Sequence, residues 1–168
     1  GDRIVDVGDL GALEARATVP GLTLTIVGDG PLRVELEARV AAAGASAWIR
    51  FPGRIDREDL VAHYRSAWLV VSGSLAEGWG LSLTEGAACG TPCVATDIRG
   101  HRSSVVAGET GLLVEPAALG RTIAEILVDH AHRDALATAA LARARTLTWE
   151  NSALGLTRAL HAAVVEHG

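Results

Sequence analysis

The chain has 168 residues, 49% of them apolar, with 15 Lys and Arg against 20 Asp and Glu and a formal net charge of −5 at pH 7. That is enough to bury the core of one domain, and residues 1–168 are expected to form a single domain. Acids and bases are interspersed with no basic stripe, which excludes a phosphate-neutralising face, so the expected partners are small molecules and not nucleic acid.

Apolar or β-branched runs at Leu22–Val27, Ala47–Phe51, Trp68–Ser72, Pro92–Thr96 and Gly111–Val114 predict strands. The amphipathic stretches Pro31–Ala43, Arg57–Ala67 and Leu81–Cys89 predict the helices between them. Strands alternating with helices imply right-handed crossovers and a doubly wound parallel α/β sheet covered on both faces. Pro31 suits a first helical turn, Gly44 and Gly90 suit helix ends, and Gly108-Glu109-Thr110-Gly111 suits a tight turn. From Ala117 onward, Ala, Leu, Arg and His at helical spacing predict two or three consecutive helices with no further strand. Thr148 is expected to cap the last of them and Trp149 to pack at a junction there.

No apolar run approaches the roughly 18 residues that span a bilayer, and the opening Gly-Asp-Arg-Ile-Val does not read as a signal peptide. The chain starts with Gly and contains no Met, so a piece of a longer cytoplasmic protein is expected, with bacterial origin guessed from its Ala- and Arg-rich composition. Attachment to the inner face of a membrane through another part of the parent stays open. Cys89 and Cys93, in Cys-Gly-Thr-Pro-Cys, match neither a redox motif nor half of a zinc site and are expected to be reduced, buried thiols. The histidines are scattered, with His130 and His132 wrongly spaced for a helical metal pair, so no metal and no cofactor are expected.

In open parallel sheets ligands bind at the carboxyl ends of the strands. The turn Gly28-Asp29-Gly30-Pro31 invites a dinucleotide reading, but Arg33 stands where the third glycine belongs and no acid ends the next strand, so a plain strand-to-helix loop is the better reading. The loop after Ser72 is richer. In Glu77-Gly-Trp-Gly-Leu-Ser-Leu-Thr-Glu85, Gly78 and Gly80 permit close backbone approach, and the helix beginning after them offers free N–H groups and a positive dipole end to a diphosphate. Glu77 before that helix and Glu85 one turn inside it are expected to face one crevice, where carboxylates accept from sugar or ribose hydroxyls.

The stretches Phe51-Pro-Gly-Arg-Ile, Ala67-Trp-Leu-Val-Val-Ser, Glu77 through Thr96 and Gly108-Glu-Thr-Gly-Leu-Leu-Val-Glu-Pro116 together resemble the C-terminal, donor-binding domain of family-four retaining glycosyltransferases of GT-B architecture. The likeness covers roughly residues 21–165. It implies a Rossmann-like half with extra C-terminal helices that binds a nucleotide diphosphate sugar as substrate. By the resemblance Glu77 is the catalytic-site carboxylate and binds donor-sugar hydroxyls, without acting as a nucleophile. Gly78, Trp79, Gly80 and Leu81 hold the sugar and diphosphate, Glu85 binds the ribose, and Arg54 and Ile55 lie against the base. The acceptor belongs to an N-terminal domain outside this chain. The position of Trp79 leaves two roles open, stacking near the sugar or packing at the sheet edge.

Two places depart from the family pattern. Where a Gly-Arg pair and then Lys-Gly usually follow the first strand, the chain has Val7-Gly8-Asp9-Leu10-Gly11, an acid near the expected diphosphate, with Arg3 or Arg16 as candidate substitutes. After the strand Pro92–Thr96, two glycines and a glutamate are replaced by Arg99-Gly-His-Arg-Ser-Ser104, whose cations face the phosphates or, as favoured here, solvate the loop. The alternative function is a degenerate or shortened domain serving as a non-catalytic scaffold.

Overall fold

The computed structural model describes residues 3–5 and 19–167. Six strands form one parallel sheet: β1 (Arg3–Val5), β2 (Thr23–Val27), β3 (Ile49–Gly53), β4 (Leu69–Ser72), β5 (Cys93–Thr96) and β6 (Gly111–Val114). Their order is β3-β2-β1-β4-β5-β6, the doubly wound arrangement expected from the alternation of strands and helices. The order reverses between β1 and β4, where Ile4 pairs with Leu69, so the ligand crevice of such a sheet opens beside the carboxyl end of β4.

Helices α1 (Arg33–Ala42), α2 (Arg57–Ser66), α3 (Leu81–Ala88) and α4 (Arg99–Ser104) join the strands, and α5 (Leu119–Val128), α6 (His130–Ala144) and α7 (Trp149–His167) follow β6. Alternate residues of the central strands supply the two faces. Leu69, Val71 and Val94 pack with Val40 of α1, with Leu119, Ile123 and Leu127 of α5 and with Leu136 of α6. On the other face Val70, Cys93 and Ala95 pack with Tyr64 of α2 and Leu83 of α3. Every residue of β4 and β5 is buried, which is why these strands read as unbroken apolar runs rather than alternating ones.

The predicted helix ends hold. Gly44 and Gly90 follow α1 and α3 with φ of 65° and 81°, left-handed values that favour glycine. The turn at Gly108 closes through its N–H to the Gly111 carbonyl at 2.8 Å. Pro31 lies in the turn ahead of α1, which begins two residues later at Arg33. The third strand is Ile49–Gly53, shifted two residues from expectation because Trp48 closes the preceding turn by hydrogen-bonding the Ala45 carbonyl. Cys93 is buried as expected, and burial pushes its thiol up to about 12, whereas Cys89, expected to be buried too, is only half-buried. Burial is also the main cause that raises Cys89, ahead of the opposing Arg65 charge and the Glu85 charge.

The cap at Thr148 is present, its hydroxyl accepting from the Asn151 N–H at 3.2 Å, but Trp149 does not pack at a junction. It is 89% exposed, because α7 leaves the body of the domain and every residue from Trp149 to Val164 is exposed. Among the described residues no helix is long and apolar enough to cross a membrane. An amphipathic helix that buries nothing depends on propensity alone, which is marginal in water. In a hydrogen-exchange experiment, amides 149–164 are expected to exchange near the unprotected rate while those of β4 and β5 stay protected.

Candidate functional site

The loop between β4 and α3 projects from the carboxyl edge of the sheet and carries Glu77, Gly78 and Trp79, all exposed. Gly80 closes it with φ 74° and ψ 61°, a left-handed conformation that turns the chain into α3. A side chain there would meet His101 Cδ2 at 3.0 Å and Glu77 Oε2 at 3.3 Å, so its absence lets these two groups approach the helix start. Unlike α2, whose first turn is capped by Asp56 accepting from the Asp59 N–H at 2.8 Å, α3 has no side-chain cap and no acid in its first turn. Its first N–H groups are therefore left without a side-chain acceptor.

Glu85 lies one turn further on the same helix and is exposed, as Glu77 is. Its Oε2 accepts from the hydroxyl of Tyr64 at 3.0 Å, a ring buried to 4% exposure in α2 that holds the carboxylate from below. Leu83, on the intervening turn, is 1% exposed and anchors α3 in the core, so Glu85 rides on a fixed support. Leu81 is exposed at the head of the helix, and Trp79, at 38% exposure, is not buried against the sheet edge.

Arg54 and Ile55 sit after β3, at the same edge of the sheet but three strands away from β4. At about 4.8 Å per strand the two loops are roughly 14 Å apart in the hydrogen-bonding direction. Between them, at the end of β2, Ile26, Gly28, Pro31, Leu36 and Phe51 line an apolar cleft of about 300 Å³. The glycine turn 28–31 serves as the strand-to-helix loop, with the Gly28 N–H on the Gly53 carbonyl at 2.9 Å and Arg33 reaching back to the Phe51 carbonyl at 2.9 Å. Asp9 and Arg16, weighed as the phosphate-facing departures from the family pattern, lie outside the described residues, as does the side chain of Arg3.

The second departure is resolved differently from the expected solvated loop. Residues 99–104 form helix α4, and their cations do not act together. Arg102 is tied to Asp97 by two hydrogen bonds of 2.6 and 2.8 Å, which hold the half-buried Asp97 carboxyl below the usual carboxylate range, while Arg99 is exposed. His101 is fully buried and points back into the site, its Nε2 3.0 Å from Glu77 Oε2 and 3.2 Å from Ser72 Oγ, its Nδ1 2.7 Å from the Thr96 carbonyl. Gly100 packs α4 directly on the loop: a Cβ there would fall 2.1 Å from the Glu77 carbonyl oxygen.

Sequence reasoning missed His101 and Tyr64. The available signal for Tyr64 was its spacing of four from Leu60 on the apolar face of α2; its pairing with a glutamate 21 residues away was not readable. His101 had the weaker signal of a single histidine just past a wholly apolar strand.

The fold and this edge of the sheet define a doubly wound parallel α/β domain with two carboxylates set around a helix N-terminus that no side chain caps. The chain belongs to the glycosyl transferases group 1 family, whose model matches residues 10–143. It is 36% identical over 152 residues to the D-inositol 3-phosphate glycosyltransferase of Frankia alni, covering 85% of this chain and 37% of that enzyme. It superposes on sucrose-phosphate synthase from Thermosynechococcus elongatus with a TM-score of 0.79 at 32% identity, covering 99% of this chain and 46% of the other. The C-terminal domain of a glycosyl transferase group 1 family protein, LpcC, from Francisella tularensis matches with a TM-score of 0.71 at 27% identity, over 86% of this chain and 85% of that domain. The chain thus spans 37% of the Frankia alni enzyme and 46% of the sucrose-phosphate synthase chain, less than half of each.

Proposed function

We propose that this chain is the donor-binding half of a retaining glycosyltransferase that moves a hexosyl unit from a nucleotide diphosphate sugar to an acceptor held by an N-terminal domain. The observation that carries this reading is the pairing of Glu77 and Glu85 on either side of the uncapped start of α3. The diphosphate sits at that N-terminus, where backbone N–H groups and the helix dipole stabilise the charge that grows as it leaves the sugar. Glu77 accepts from hydroxyls of the sugar, and Glu85, steadied by Tyr64, accepts from the ribose. The base extends along the sheet edge toward the cleft at Phe51 and the loop of Arg54 and Ile55. No nucleophile is assigned; the acceptor attacks the face the diphosphate vacates. The exposed stripe Trp149, Leu156, Leu160 and Val164 of α7 packs on the N-terminal domain.

The two glutamates have separable signatures. Hydrogen bonds to a charged group contribute about 1.5–3 kcal/mol. Glu85→Ala is therefore expected to weaken a nucleoside diphosphate and its sugar conjugate alike, by about tenfold or more, whereas Glu77→Ala weakens only the conjugate. Calorimetric titration of both variants checks this. Unchanged affinity in both would remove the donor-site reading and leave a scaffold module.

A further inference from the structure

Neither carboxylate role above uses His101, yet it is the side chain in direct contact with Glu77. The hydrogen-bond accounting at its ring is restrictive. Nδ1 lies 2.7 Å from the Thr96 carbonyl oxygen, which can only accept, so Nδ1 carries a hydrogen. Nε2 lies 3.0 Å from Glu77 Oε2, and an ionised carboxylate also only accepts. At that separation Nε2 and Oε2 are within hydrogen-bond distance. Ser72 Oγ, 3.2 Å from Nε2, is the other group on that side of the ring.

The surroundings fix this contact. The ring is 0% exposed, whereas the Glu77 side chain is 37% exposed, so the imidazole is the immobile member and the carboxylate the adjustable one. Missing side chains at Gly80 and Gly100 let α3 and α4 close on the pair. Glu77 Oε2 is taken by His101, and Oε1 has no protein partner among the described residues.

We propose that His101 is a positioning residue for the donor sugar: it pins one oxygen of Glu77 and so presents the other to the hydroxyls of the transferred sugar. This rests on the reading of Glu77 as the sugar-binding carboxylate. It adds that an exposed loop acid acquires a defined orientation from a buried imidazole 24 residues away. The sugar class it serves is one with hydroxyls placed to share a single carboxylate oxygen.

The test compares His101→Asn with His101→Gln. The Asn amide nitrogen overlays Nδ1 and keeps the Thr96 contact but does not reach Glu77, whereas the Gln amide nitrogen overlays Nε2 and does. Affinities are measured for UDP, GDP and ADP and for the glucose conjugate of each. In His101→Asn the advantage of the conjugate over its diphosphate is expected to fall about tenfold with the diphosphate unchanged, and His101→Gln is expected to restore most of it. Equal behaviour of the two variants, or a parallel loss for diphosphate and conjugate, would show a merely structural histidine. If Glu77→Ala leaves the advantage of the conjugate intact, or no conjugate binds the unaltered chain, the donor reading fails first and the positioning role with it.

A second measurement needs neither ligand nor a folded His101 variant. In histidine-labelled protein, the Nε2 nitrogen resonance of His101 is expected to move in Glu77→Ala while Nδ1 stays. An unmoved Nε2 would overturn the proposal.

Discussion

Gly100→Ala is expected to disrupt the loop that carries Glu77 and to destabilise the domain by about 1–3 kcal/mol, the usual range for overpacking. The added methyl would lie 2.1 Å from the carbonyl oxygen of Glu77, 2.6 Å from its carbonyl carbon and 3.2 Å from that of Gly78. These are backbone atoms, so no side-chain rotation relieves the clash, and either α4 or the loop must move. Moving α4 carries His101 away from Glu77; moving the loop carries Glu77 away from the start of α3. Either way the sugar increment in binding is lost together with stability. Gly78→Ala is the control, since a Cβ there meets nothing within 4 Å and thermal stability is expected to change little. A Gly100→Ala protein with unchanged melting and binding would contradict the packing described between α4 and the loop.

Leu83→Ala is expected to cost more, about 2–5 kcal/mol, because it removes a side chain 1% exposed at the centre of the second core cluster. For a domain of this size that corresponds to a fall in melting temperature of roughly 4–20 °C. Relaxation is limited, since Leu83 packs on the same face as Tyr64, Val70 and Cys93 and also borders a small void near Arg143. Tyr64 fills part of that contact and holds Glu85, so nucleotide affinity is expected to fall in the fraction that stays folded. Thermal melts and titration below the melting point check both parts.

Much of the architecture was legible before any coordinates. Strands β4 and β5 announce themselves because strands covered on both faces are buried throughout, β2 and β6 by shorter apolar or β-branched runs, and Gly44 and Gly90 mark helix ends that need a left-handed residue. Two elements were not readable. Strand β1 has three residues, one of them Arg3, too short for any periodicity to emerge. Helix α4 contains Gly100, Ser103 and Ser104 and no apolar stripe, so its local composition reads as loop while its packing on β4, β5 and the Glu77 loop makes it helical. Trp149 failed for a related reason. A large aromatic beside a cap normally packs, but here the whole helix is turned out from the domain.

The site divides along the same line. The glycines at 78 and 80 and the spacing from Glu77 to Glu85 lie within one short segment, so sequence alone brought those residues together. The groups that orient the two carboxylates, His101 and Tyr64, come from other helices and were decided by tertiary packing. Local motifs name the groups that touch a ligand, and residues distant in sequence set their angles.

The most direct test of the donor site is calorimetric titration of the unaltered chain with UDP, GDP and ADP, each followed by its sugar conjugate. The site described here predicts saturable binding of one diphosphate and a further gain for its conjugate. An intact fold by circular dichroism with no heat from any of the six would contradict it.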